Sequence, residues 1–351
     1  MRKRIRINLL RALKVAGVFD RVRDSRWRQR RLLILCYHSL ALDDENLWRP
    51  ALYLAPSRVR ERFEMLKQDG YHVLPLTEAL ERLRKNDLPS RSVVLTFDDG
   101  TYDFYKLTYP LLKEYGFPAT VYQTTHYSSR RMPVYSLICS YMLWKKREAT
   151  FLRATPSIGI IEGMRLNTPE ERQAALNQIV AFADREQLST EQKNELAAEL
   201  ARQLDVDYGE IVHRRILQLM DPQEIAELAA AGIDFQLHTH RHRTPRDRDL
   251  FEREIRDNRE TLEAITKTHT SHFCYPSGDY DLMFLPWLAA QGVISATTCD
   301  PGLASTRSQS LLLPRFIDAT AQTPLEFEGW LTGVGALLAA GANTARLRNL
   351  S

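Results

Sequence analysis

The sequence predicts an α/β fold on three observations. Val93-Val94-Leu95-Thr96-Phe97 is a β-branched and aromatic run of strand length that stops at the turn signal Asp98-Asp99-Gly100. Gly232-Ile233-Asp234-Phe235-Gln236-Leu237 is a second strand, ending at His238. Between them lie helix starts: Thr168-Pro169-Glu170-Glu171 is a capping box with Pro at the first helical position, and Asp221-Pro222-Gln223-Glu224 caps another helix that stops at Gly232. With 351 residues and 44% hydrophobic content, the chain can bury one sizeable core and an accessory layer.

Read in order, the chain begins with an unbalanced segment. Residues 1–31 hold 12 Lys or Arg against 2 acidic residues, whereas the remainder holds 36 basic against 42 acidic side chains. Arg11 and Lys14 interrupt the apolar run after Leu9-Leu10, so the segment does not read as a secretory signal. Leu9, Leu10, Leu13 and Val18 suit one face of a basic amphipathic helix, which fits two readings: a helix lying on anionic lipid, or one packed on the core with a solvated basic face. Residues 127–214 form a long helical stretch between the two strands, with Leu176, Ile179, Val180 and Ala183, then Leu196, Leu200 and Leu204, as packing stripes. Gly329-Trp330-Leu331 through Ala340 is apolar but too short to cross a bilayer, and is expected to be a core helix. Cys36, Cys139, Cys274 and Cys299 show no paired spacing, which fits a reducing compartment.

Taken singly, the Asp-Asp-Gly segment is an ordinary strand-to-turn junction and His238-Thr239-His240-Arg241-His242 an ordinary basic loop. Together, at two strand exits, they point to a metal-dependent hydrolase. A zinc-type ion takes nitrogen and carboxylate ligands and keeps one position open. One Asp and two His supply that set, and the other Asp is then free to serve as general base on a water.

These residues resemble the polysaccharide deacetylases of the NodB type, carbohydrate esterase family 4. That family carries a Thr-Phe-Asp-Asp-Gly motif and a later His-Ser/Thr-x-x-His motif, matched here by Thr96 to Gly100 and by His238, Thr239 and His242. Leu33-Ile34-Leu35-Cys36-Tyr37-His38 resembles the family's first barrel strand, Phe63 to Lys67 through Gly70-Tyr71 the helix and turn after it, and Pro118 to Tyr122 the strand after the Asp-Asp helix. The resemblance spans residues 32–126 and 215–318. It implies a deformed (β/α) barrel within a catalytic domain over 32–325, with 127–214 as a helical insertion, a basic amphipathic segment over 1–31, and an apolar helix and tail over 326–351.

Carried over by position, the resemblance implies that Asp98 is the general base and that Asp99, His238 and His242 hold a divalent metal, with Zn2+ the expected ion. Thr239 orients the loop. The family's third motif, Arg-x-Pro-aromatic-Gly, falls on Phe273-Cys274-Tyr275-Pro276-Ser277-Gly278, so Cys274 stands where the Arg that steadies the base is expected. Either another cation holds the base or it is held less tightly. A backbone N–H near Ser277 is the expected oxyanion donor, with Tyr275 and Arg315 beside it as oxyanion or substrate contacts. The family's late histidine acid falls on Leu311-Leu312-Leu313-Pro314-Arg315-Phe316, which has none, and no histidine follows His272. His38 is therefore the expected acid, since the permanently charged Arg315 can stabilise negative charge but not donate a proton. His240 is assigned to the surface.

The implied reaction removes acetyl groups from an amino sugar in a polysaccharide or glycan precursor. The expected partners are an N-acetylated sugar or glycan and an anionic membrane surface met by residues 1–31, with no nucleic acid. The expected location is the cytoplasm, peripheral to the inner membrane face. Two alternatives stay open: hydrolysis of another non-peptide C–N bond, and a non-catalytic carbohydrate-binding relative.

Overall fold

The computed structural model of the chain describes residues 2–339; residues 340–351 of the expected tail lie outside them. Seven parallel strands form a closed barrel: β1 (Leu33–Tyr37), β2 (Ser92–Asp99), β3 (Thr120–Gln123), β4 (Asp234–Leu237), β5 (His272–Cys274), β6 (Ser295–Pro301) and β7 (Leu313–Ile317). They pair in chain order, and β1 closes the ring, with Leu35 set against both Leu95 of β2 and Phe316 of β7. This is the (β/α) barrel that the resemblance implies. It is deformed where the register between β6 and β7 shifts between Thr297 and Pro301.

Strand alternation divides the barrel into two environments. Leu33, Leu35, Tyr37, Leu95, Phe97 and Phe316 point outward, into a core shared with Val59, Phe63 and Leu66 of the helix Pro56–Gln68. The intervening residues point inward, and at the mouth end this set changes from Ile34 and Val94 to Cys36, Thr96 and Asp98. A sealed interior holding polar groups must satisfy them internally, and that requirement organises the site.

The 127–214 stretch is helical and builds its own core. Helices Tyr135–Lys145, Pro169–Arg185 and Thr190–Leu204 pack around Ile138, Ile179 and Leu200. Thr168 and Glu171 make the expected reciprocal cap, and Ser189 with Gln192 makes another. Tyr53, Trp48 and Leu52, from the loop after β1, join this core and tie the insertion to the barrel mouth.

The amphipathic N-terminal helix, Arg2–Val15, packs part of its apolar stripe on the fold and leaves Leu9 exposed. Leu10 is buried with Phe19 and Val334, and Leu13 and Val18 pack against them, which is the core-packed of the two readings for these three residues. The physical reason lies in the facing helix, Pro324–Thr332, and the residues after it, which supply apolar partners together with Glu326 and Glu328 for Arg6 and Lys14. Arg28 is wholly buried and donates to the carbonyls of Leu331, Arg31 and Ser92, stitching both ends of the chain to β2. Among the described residues, no helix is long and apolar enough to cross a membrane.

Candidate active site and metal centre

Adjacent carboxylates at the end of β2 are sent to different places. Asp98 continues the strand and points into the barrel, whereas Asp99 adopts φ 71° and turns to the mouth. Gly100 follows with φ 73°, and a Cβ there would overlap the Gln123 side chain, with Oε1 only 1.8 Å away, so the motif requires glycine. After β4, positive φ at Thr239 and His242 folds the loop back, and Thr239 Oγ1 accepts the Arg243 N–H at 3.0 Å. His238 Nε2 and His242 Nε2 thereby each stand 3.2 Å from Asp99 Oδ1.

The donor set fits a divalent cation. His238 Nδ1 lies 2.9 Å from the Cys274 carbonyl, which can only accept, so Nδ1 carries the proton and Nε2 offers its lone pair towards Asp99. His238 Nε2 and Asp99 Oδ1 are both sealed from solvent with no hydrogen-bond partner. A cation between them and His242 resolves that deficit with the one-carboxylate, two-imidazole set that zinc-type sites use. Burial raises the pKa of Asp99, but His242 and His238 more than reverse this and hold it well below the ordinary carboxylate range. Burial likewise works against charge on His238, and the neighbouring Asp99 and Asp98 carboxylates with the Cys274 carbonyl together reverse it, leaving that imidazole raised.

Arg315 supplies the cation missing at position 274, which corrects its expected place beside the oxyanion or substrate. Leu313 and Arg315 share the inward face of β7, so the guanidinium is fully buried in the barrel. Its Nη1 and Nη2 lie 2.7 Å from Asp98 Oδ1 and Oδ2, and Nε donates to the Thr298 carbonyl at 3.0 Å. Such a fork-to-fork pair satisfies both carboxylate oxygens. Cys274 leaves room for it, its Sγ standing 3.0 Å from Arg315 Nη2 and 3.4 Å from Asp98 Oδ2. Cys36 Sγ approaches the same oxygen at 3.5 Å, and burial pushes both thiols well up, so both stay neutral. Burial would raise the Asp98 carboxyl, yet Arg315 holds it below the ordinary range.

His38 lies at the exit of β1, with Nε2 3.9 Å from Asp98 Oδ2. It lines a pocket of about 410 Å³ together with Asp99, His242 and Ser277, and the insertion contributes Tyr127, Val134 and Leu137 to the wall. Ser277, at φ 57°, is exposed on the rim. Tyr275 is not there: it is buried, packed on Phe273, with its hydroxyl donating to the Leu311 carbonyl, which corrects its expected role as a substrate contact. The strand extension that places Ser277 at the mouth turns Tyr275 into the core.

His240 is half-buried rather than a free surface group; its Nδ1 meets Thr125 Oγ1 at 2.8 Å and its ring stands 5.3 Å from His126. Burial pushes the His126 imidazole down to about 4, helped by the charges of His240 and Arg130. His126, Tyr53 and Arg49 line the pocket and were missed from sequence. They stand on irregular loops, where neither periodicity nor motif spacing marks a residue.

Comparisons with known proteins point to one family. The family model described as polysaccharide deacetylase matches residues 85–154 and 183–293, more than half of the chain. Poly-β-1,6-N-acetyl-D-glucosamine N-deacetylase of Escherichia coli K12 is 31% identical over 94 residues, 26% of this chain and 14% of that protein. The enzyme of the same name from Staphylococcus aureus MSSA476 is 36% identical over 67 residues, 19% of this chain and 23% of that protein. The chain therefore matches only a minor part of the length of these curated relatives. Among solved structures, Streptococcus pyogenes deacetylase PplD in complex with acetate superposes with TM-score 0.55 at 21% identity, over 84% of this chain and 95% of that one. IcaB from Ammonifex degensii gives TM-score 0.53 at 16% identity, over 87% and 97%. At these identities the superpositions show a shared fold.

Proposed function

The chain belongs to the polysaccharide deacetylase family, and from that membership we propose that it is a metal-dependent deacetylase acting on N-acetylated amino sugars of a polysaccharide or glycan precursor. One observation carries the reading: a cation-fitting triad, Asp99, His238 and His242, stands next to a separate buried carboxylate, Asp98, which Arg315 keeps ionised. The names of the E. coli and S. aureus relatives support an acetamido sugar as substrate.

Zn2+ is the ion assigned, on the strength of the mixed imidazole and carboxylate donors. When bound, it supplies a Lewis acid that polarises the acetyl carbonyl and lowers the pKa of water. Asp98 takes a proton from the attacking water as the new C–O bond forms. Arg315 fixes both oxygens of that base, so the carboxylate cannot rotate away from the water. The backbone N–H of Ser277, a residue of the pocket lining, is the donor assigned to the oxyanion. His38 then protonates the amine nitrogen as the C–N bond breaks, leaving acetate and a free amino sugar. A pure binding module would have no use for an ionised buried base beside the triad, and this favours catalysis over the binding alternative. The reading extends to a cytoplasmic chain peripheral to the inner membrane face, supported by the charge of residues 1–31 and by the exposed Ile5 and Leu9 between them.

The test is acetate release from N-acetylglucosamine oligomers by the purified chain, before and after chelation and after Zn2+ is restored. Release that chelator stops and zinc restores supports the reading. No acetate from any N-acetylated sugar, with metal bound at stoichiometry, overturns it.

A further inference from the structure

Arg49 is a guanidinium held in the pocket wall without a counter-charge. It caps the short helix Glu45–Trp48, its N–H bonded to the Glu45 carbonyl at 2.9 Å and its own carbonyl accepting from Leu52 and Tyr53. The guanidinium lies 4.4 Å above the Trp48 ring, and that ring is itself fixed against Tyr53 and Tyr141. Among the described residues, no carboxylate lies within 4.0 Å of Arg49 and no hydrogen bond leaves its side chain, whose one ionisable neighbour is the Tyr53 hydroxyl. Arg241, the other guanidinium of the wall, differs: it is held by Glu254 at 3.2 Å and Asp257 at 3.5 Å. Asp99 is the sole carboxylate among the described lining residues, and the metal triad claims it.

A half-buried cation pinned in place, with no protein acceptor, is costly unless something else satisfies it. A neutral acetamido sugar offers it acceptor oxygens but no counter-charge, whereas an anion with two oxygens supplies both and matches the guanidinium fork. The pocket volume, about 410 Å³, falls in the range that holds a sugar together with a charged substituent. We propose that Arg49 forms an anion subsite, so that the preferred substrate carries a phosphate or carboxylate group on the N-acetylated sugar or on the sugar next to it. This rests on the deacetylase reading and names the substrate class for the same site.

The experiment compares four probes on the zinc-loaded full chain: N-acetylglucosamine 1-phosphate, a disaccharide of N-acetylglucosamine and a uronic acid, and the neutral counterpart of each. The ratio of kcat/KM, anionic over neutral, is measured for the wild type, Arg49→Gln and Arg49→Lys. A wild-type ratio of roughly 10 to 100, expected of one charge-assisted pair, that collapses towards unity in Arg49→Gln and partly returns in Arg49→Lys supports the subsite. Which anionic probe shows the larger ratio distinguishes phosphate from carboxylate. Acetate release at equal rates from anionic and neutral probes overturns the subsite and leaves the deacetylase reading intact. If no probe is turned over, calorimetric Kd values on the same proteins decide: tighter binding of an anionic probe that Arg49→Gln abolishes supports the subsite even as the reaction fails, and equal binding of charged and neutral probes overturns it.

Discussion

Replacing Arg315 with Gln tests how the barrel keeps its base charged. In the native chain two 2.7 Å bonds join the guanidinium to both oxygens of Asp98, and both residues are buried. Breaking one partner of such a pair costs about 3–5 kcal/mol, because the other charge stays in a dry site. Native Asp98 has a lowered pKa, so its contribution to stability is present above the ordinary value of 3.8 and is lost as pH falls below it. In Arg315→Gln the burial effect on Asp98 has lost its main opponent, and the carboxyl is expected to rise above the ordinary range. Stability of the variant then falls as pH rises through that new value, so the gap to wild type widens from acid to neutral pH. Loss of the ionised base should lower kcat/KM by about 10² to 10⁴ near neutrality and move the acidic limb of the rate profile upward. The assay is a pH–rate profile with urea unfolding at acid and neutral pH, and metal content as the control that should not change. A folded variant with kcat/KM within about threefold of wild type and an unmoved acidic limb would refute the assignment of Arg315 as the group that holds the base.

Four other outcomes are expected. Ala at Asp99, His238 or His242 should each lower bound metal, while Asp98→Asn keeps metal and loses turnover; unchanged metal in all three ligand variants would sink the triad. His38→Ala should lower turnover by about 10² or more if its imidazole protonates the amine, and near-normal activity would remove it from the mechanism. Burial pushes Asp103 up to about 7, with the Leu40 N–H donating to it at 2.6 Å. Its stabilising effect is therefore present below the ordinary 3.8 and lost as pH rises through about 7, a change of up to roughly 4 kcal/mol, so Asp103→Asn should flatten the urea midpoint between pH 4 and 8; parallel profiles for the two proteins would count against this. Deleting residues 2–28 removes Leu10, Phe19 and Arg28 from buried sites and should lower Tm by about 10 °C or more, whereas an unchanged Tm would show the N-terminal helix to be dispensable.

The candidate metal triad was legible because its residues sit beside strands in short motifs. Thr96 to Gly100 and His238 to His242 each carry their ligands within five residues, so strand periodicity and the positive φ that Gly100 requires place them with little help from the rest of the chain. The helical character of 127–214 was equally local, written in the Thr168 cap and in the Leu200 and Leu204 stripe. Other features depended on what faces what. The stripe of Leu10, Leu13 and Val18 has the same pattern whether it meets lipid or protein, and what decided it was the facing segment with Leu325, Val334 and Glu328.

Sequence by itself determined the α/β class, the carboxylate and imidazole pair of motifs and the insertion, because each is set by spacing within a few turns or one strand. Tertiary structure decided that Arg315, not a residue at position 274, holds Asp98; that Tyr275 packs in the core between barrel and helices; and that Arg49 faces the pocket with no carboxylate partner among the described residues. Asp98 and Arg315 are separated by 217 positions and meet only because closing the barrel puts β2 and β7 on either side of β1. A charge sealed inside a barrel must find its partner across the ring, and no pattern along the chain records which strand supplies it.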